Sequence, residues 1–179
     1  GSEMCIRDRR ISQLNFENVE INSDQIVATA DEAEQLIKDA INYGTLCVSA
    51  EAVGCMESCY LKTVEYTKSR EQFGQPISNF QVLQHKMVDM FIEAELCKSL
   101  LYKSMIDMHE NNDSKYRSVS ALKSQVGLSG KKVGEDAVQL HGGMGVSEEM
   151  SIGHYLKRFI SIDSQFGNSH FHLKKFNNS

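Results

Sequence analysis

At 179 residues, with 41% apolar and 24% charged side chains, the chain can form one domain with a sizeable core and part of another. A net charge of −5 with no long basic run argues against nucleic acid and against membranes as partners. No apolar run approaches the roughly 20 residues that cross a bilayer, no signal-peptide pattern is present, and a single proline with no tryptophan favours helices over a sandwich.

The five cysteines are Cys5, Cys47, Cys55, Cys59 and Cys97. Their odd number and lack of paired close spacing argue against a disulfide framework and against a zinc knuckle. No metal site is expected; His170 and His172 alone would need a third ligand. The expected compartment is reducing, cytoplasmic or an organelle matrix.

Residues 1–10 show neither helical nor strand period, and the Gly1-Ser2 start resembles an expression scar; this stretch is expected to be foreign or disordered. Apolar and polar residues then alternate from Leu14 to Phe16 and from Val19 to Ile21. That pattern predicts a strand broken at Glu17-Asn18, belonging to a sheet whose other strands are absent. Thr29 and Glu32 have capping-box spacing, so a helix is expected from about Asp31 to Ser69. Its middle, from Leu46 to Met56, is apolar nearly all round, as in a helix buried on more than one side.

The chain's one proline lies in Arg70-Glu71-Gln72-Phe73-Gly74-Gln75-Pro76-Ile77. Gly74 and Pro76 resist helix, which predicts a tight connection. Asn79 is expected to cap the next helix, whose seam is Leu83, Met87, Met90, Ala94, Cys97 and Leu101. Met87, Met90, Met105 and Met108 read as gap-filling core. Ser114 is expected to cap a third helix from about Lys115 to Leu140. Its glycines each cost roughly 1 kcal/mol of helix stability, so packing must hold it on both sides. Ser147 opens a fourth segment, with Ile152, Tyr155, Phe159 and Ile162 in helical period. It breaks at Phe166-Gly167-Asn168, and a short polar tail follows. The expected fold is all-α, an up-and-down four-helix bundle preceded by a short strand remnant.

Two stretches carry chemistry. Arg70 follows a helix end, and a guanidinium can clamp a phosphate bidentately. Gln139-Leu140-His141-Gly142-Gly143 ends another helix, and paired glycines admit close approach of backbone N–H groups to a pyrophosphate. Alone, each has a plainer reading, as a solvated charge and as a C-cap.

Together, residues 70–81 and 137–145 resemble the acyl-CoA dehydrogenase family, over about residues 12–173. The resemblance implies the C-terminal helical bundle of that family for residues 29–179, preceded by the end of its middle β-domain at 11–28. The family oxidises an acyl-CoA to the 2-enoyl-CoA with FAD and usually passes electrons to an electron-transfer flavoprotein. The resemblance further implies that Arg70 contacts the FAD pyrophosphate across a subunit interface and that Phe73 lies near the adenosine half. Gln81 contacts FAD, although a capping box with Ser78 would also explain it. Gln139, Leu140, His141, Gly142 and Gly143 cradle the adenosine and pyrophosphate.

Three positions depart from the family pattern. The usual catalytic glutamate position is Gly167, and the alternative position, on the first bundle helix, is Gly44. The Asp-x-x-Arg pair of that helix reads Asn42-Tyr43-Gly44-Thr45. No catalytic base is therefore expected in this chain, and Glu51 is expected to pair with Lys157, Arg158 or His154 instead. The resemblance then implies a base-lacking subunit of a homo- or hetero-oligomer, as in the mixed-subunit dehydrogenases acting on steroid-like CoA thioesters. A non-catalytic assembly subunit and a flavin monooxygenase on the same fold are the alternatives.

Overall fold

The computed structural model describes residues 14–178; the stretch 1–10 lies outside them. The chain divides into two compact units between Leu36 and Ile37.

In the first unit, residues 14–22 are in no strand, contrary to the alternation in the sequence. Leu14, Phe16, Val19 and Ile21 are all exposed. Alternation marks which face a strand could bury, but a ladder needs a partner, and none is present among the described residues. A 3-10 turn, Ser23–Gln25, follows. Half of the expected capping box forms: Glu32 Oε2 accepts from the Thr29 backbone N–H at 3.2 Å and from its hydroxyl at 2.8 Å, while the Glu32 N–H donates to the Thr29 carbonyl rather than to its hydroxyl. Helix α1, Ala30–Ser69, begins there.

In the second unit, the middle of α1 is buried as its composition predicts, with Leu46, Val48, Ala52, Val53, Met56 and Cys59 in the core. Three buried hydroxyls on this helix, Thr45, Ser49 and Thr63, donate to the carbonyls four residues back, which satisfies them inside the core. A hairpin follows: β1, Glu71–Gln72, pairs antiparallel with β2, Gln75–Pro76. Phe73 and Gly74 are its two loop residues, both at positive φ (55° and 78°), as a type I′ turn requires.

Helix α2 is Gln81–His109. Its seam is as expected, with Met90, Ala94, Cys97 and Leu101 buried. Asn79 does not cap it. Residues Ile77–Asn79 form a 3-10 turn, the N-cap is Phe80, and the Asn79 amide points to Gln75. Met105 is 48% exposed and is not core filling. It lies outside the 4-3-4 seam of the helix, so its side chain reaches solvent.

Helix α3, Lys115–His141, is the most buried element. Ser114 is its N-cap residue, but its hydroxyl donates to Asn112 Oδ1 rather than capping the helix. A Cβ on Gly130 or Gly134 would press on Phe159 or Leu156, so these glycines let α4 lie against α3. Helix α4, Ser151–Ser164, starts later than expected. The reason is a 3-10 stretch, Gly142–Val146, after which the Ser147 hydroxyl folds back to the Met144 carbonyl at 2.9 Å. The tail is not a polar coil. It forms a fifth helix, α5, Ser169–Asn177, capped by Asn168, whose side chain accepts from Phe171 N–H at 2.9 Å. Its buried residues are Ser169 and His172, neither of which signals a core in the sequence.

Candidate functional site

A cleft of about 640 Å³ opens where α1 and α3 end. Arg70 and Phe73 from the first junction line it, and so do Gln139 to Gly143 from the second. Gln81, the first residue of α2, is exposed and outside this lining. Tyr66, not singled out in the sequence, is the central addition. It sits one helical turn before Arg70 and so shares its face.

The hairpin sets the first wall. Arg70 N–H caps α1 through the Tyr66 carbonyl at 2.9 Å, and its own carbonyl accepts from Ile77 N–H at 2.8 Å. The Arg70 side chain is exposed and has no ion-pair partner among the described residues. Phe73 is 89% exposed, with its ring edge-on to Phe80 at 6.0 Å. A bulky aromatic at positive φ carries strain of about 1–3 kcal/mol, a cost typical of positions held for contact.

His141 forms the second wall. It is buried and stacks on the Tyr66 ring at 4.2 Å with a 22° interplanar angle. Its Nδ1 lies 2.8 Å from the Ala137 carbonyl, which only accepts, so Nδ1 carries the proton. Nε2 is then a bare acceptor, buried and without a partner among the described residues. Burial also pushes the His141 pKa below its ordinary value, which keeps the ring neutral.

The two glycines differ. Gly142 has φ +59°, so its backbone demands glycine. Gly143 has neither positive φ nor crowding: a Cβ there would meet nothing within 4 Å. Among the described residues nothing requires glycine at 143, and its backbone is open to close approach.

The positions away from the cleft are also settled. Arg158 holds Glu51 with two bonds, Nε to Oε1 at 2.6 Å and Nη2 to Oε2 at 2.7 Å. This is the structural pairing expected for Glu51, with Arg158 as the partner. Lys157 and His154 turn to Glu148 instead. Gly44 and Gly167 both lie beside the α4–α5 turn, where the Phe166 ring sits over Gly44. Among the described residues no cluster of three metal-binding side chains occurs, and no helix is long and apolar enough to cross a membrane.

The helical bundle thus carries a cleft lined by an exposed guanidinium, a buried histidine ring and an uncrowded glycine. Residues 35–174 match the family "Acyl-CoA dehydrogenase, C-terminal domain", and the chain belongs to that family. It is 27% identical over 157 residues to the short-chain specific acyl-CoA dehydrogenase of Megasphaera elsdenii, covering 87% of this chain and 40% of that protein. It is 32% identical over 115 residues to acyl-CoA dehydrogenase IpdE2 of Mycolicibacterium smegmatis, covering 63% of this chain and 34% of that protein. The butyryl-CoA dehydrogenase structure from Megasphaera elsdenii shares the fold with TM-score 0.86 at 24% identity, over 91% of this chain and 42% of that one. The chain thus spans about two-fifths of the length of the curated relatives it matches.

Proposed function

We propose that the chain is the FAD-contacting C-terminal domain of an acyl-CoA dehydrogenase, oxidising an acyl-CoA to the 2-enoyl-CoA as part of a larger subunit. Residues 11–28 are then the end of a middle β-domain. The observation that carries this reading is the cleft itself, lined by Arg70, which has no ion-pair partner among the described residues, by the His141 ring stacked on Tyr66, and by the unshielded backbone of Gly143.

These groups fit a dinucleotide. FAD supplies the hydride-accepting ring of the oxidation. Arg70 would hold the pyrophosphate through its planar fork of donors. Gly142 and Gly143 let backbone approach those oxygens. His141, buried and stacked on Tyr66, would back the glycine turn from inside the wall. Phe73, held outward on the hairpin, presents its face to a ring beyond the chain.

Neither family position for the base carries a carboxylate among the described residues. Gly167 and Gly44 stand where the family resemblance places the carboxylate, and Glu51 is occupied by Arg158. The α-proton is therefore taken by a carboxylate from another subunit, which makes the working form a hetero-oligomer in the cytoplasm, with an electron-transfer flavoprotein as electron acceptor.

The test is co-expression of the full protein with a glutamate-bearing paralogue. A stable mixed complex is expected, with FAD bound roughly 10- to 100-fold more weakly when Arg70→Ala is introduced, as losing a charged hydrogen-bonded pair implies. Unchanged FAD content in that variant would refute the cleft assignment and favour a subunit kept only for assembly. Ordinary acyl-CoA turnover by the full protein alone would refute the missing base.

A further inference from the structure

The second buried histidine, His172, lies far along the chain from the cleft and takes no part in the proposed reaction. It is 1% exposed. Its Nε2 lies 3.0 Å from the Phe166 carbonyl, so Nε2 must carry the proton. Nδ1 is then bare, buried and without a partner among the described residues. Beside it, Lys123 of α3 is fully buried, and its Nζ donates to the carbonyls of Asp163 and Gly167 at 2.9 Å each. Two buried side chains thus hold adjacent carbonyls of one turn. That turn bears positive φ at two successive residues, Phe166 (56°) and Gly167 (102°). It also seats the Phe166 ring on Gly44 of α1.

We propose that His172 is an acid-released latch: neutral, it pins the Phe166–Gly167 turn and α5 against the bundle, and its protonation frees them and uncovers Gly44. The inference is independent of the reaction proposed above.

The chemistry follows from which nitrogen is free. A second proton can go only to Nδ1, inside the packed interface and without an acceptor. The charged groups that face the ring are Lys123 from α3, Lys175 from α5 itself and Asp163 from α4. Two cations outweigh one carboxylate, and Asp163 Oδ1 is already engaged by Ser169 N–H at 2.9 Å. Burial depresses the His172 pKa below its ordinary 6.5, against the Phe166 carbonyl, which favours the charged ring, and with smaller help from these lysines. In the docked state the ring therefore stays neutral, whereas in the open state it takes up a proton below about pH 6.5. The open state binds more protons in that window, so docking is complete above it and weakens as pH falls through it.

Hydrogen exchange of the 179-residue chain, corrected for the intrinsic pH dependence, tests this. Between pH 7.5 and 5.5 the opening constant of amides in 166–176 should rise by up to about tenfold per pH unit below 6.5, the slope for one proton. Amides in the middle of α2 should not follow. His172→Gln keeps a donor toward the Phe166 carbonyl but cannot be charged, so its opening should be flat with pH. A wild-type segment whose opening ignores pH, or a His172→Gln variant that retains the dependence, overturns the latch. Should His172→Gln not fold, the wild-type ring is followed by nitrogen NMR. Exchange that rises while the docked ring remains the neutral Nε2–H tautomer below pH 6.5 supports the proposal; a ring that titrates near 6.5 with no gain in exchange refutes it.

Discussion

The ring of Phe166 covers Gly44 so closely that a Cβ on Gly44 would stand 2.7 Å from Cζ of the ring. Gly44 is on α1 and Phe166 is on the α4–α5 turn, so two segments more than a hundred residues apart meet without a side chain between them. The neighbouring Gly167 is crowded in turn by Phe171, 2.5 Å from its would-be Cβ.

The two glycines should differ in their tolerance. Gly44→Ala displaces the far end of a partly exposed ring and is expected to cost about 1 kcal/mol or less. Gly167→Ala adds backbone strain at φ +102° to a clash with Phe171, and about 2–4 kcal/mol is expected. Gly167→Glu should be at least as costly and should not create a working base. Urea midpoints of the three variants give the comparison.

Glu51 and Arg158 should act as a unit. Both are partly buried and bonded twice, so a double-mutant cycle with Glu51→Gln and Arg158→Met should give a coupling of about 1–3 kcal/mol. A coupling near zero would show the pair to be merely adjacent.

Asp107 sets an acid limit on stability. It is buried and accepts from Ser118 Oγ, from Asn112 Nδ2 at 2.8 Å and from Lys103 Nζ at 2.9 Å. These bonds, Ser118 foremost, hold its carboxyl well below the ordinary 3.8. A depressed carboxylate stabilises the fold fully above its ordinary value and loses that contribution as pH falls below it. Asp107→Asn should therefore cost about 1–3 kcal/mol at pH 7. The gap to wild type should close by up to about 1.4 kcal/mol per pH unit below 3.8, as measured by denaturation at a series of pH values.

The thiols should react in order of burial. Cys59 and Cys97 are buried, and burial pushes their pKa values up to about 12 and about 11. Cys47 is exposed. Alkylation at pH 8 followed by peptide mapping should label Cys47 in the native chain, and Cys59 and Cys97 only with denaturant.

Periodicity made the bundle legible. The α2 seam, the capping box at Thr29 and Glu32, and the break at Phe166-Gly167 were all written in local pattern. The two halves of the cleft were legible as motifs, though Tyr66 was not, because a tyrosine on a helix face gives no sign of stacking on a histidine 75 residues away. Helix α5 was hidden because a histidine and a serine do its burying. Residues 14–21 form no ladder because alternation describes a face, and the partner strands it calls for are not among the described residues.

The glycines of α3 have a consequence for the order in which the molecule can be made. Gly127, Gly130 and Gly134 weaken α3 as an isolated helix, and what rests on them is Asp163, Ser169, Phe159 and Leu156, all downstream. The C-terminal end of α3 presents His141 and the glycines of the cleft. On a ribosome, those residues emerge before the helices that brace them. That wall of the cleft is therefore complete only once α4 and α5 have cleared the exit tunnel, and a nascent chain stalled before residue 151 would carry the motif without the shape.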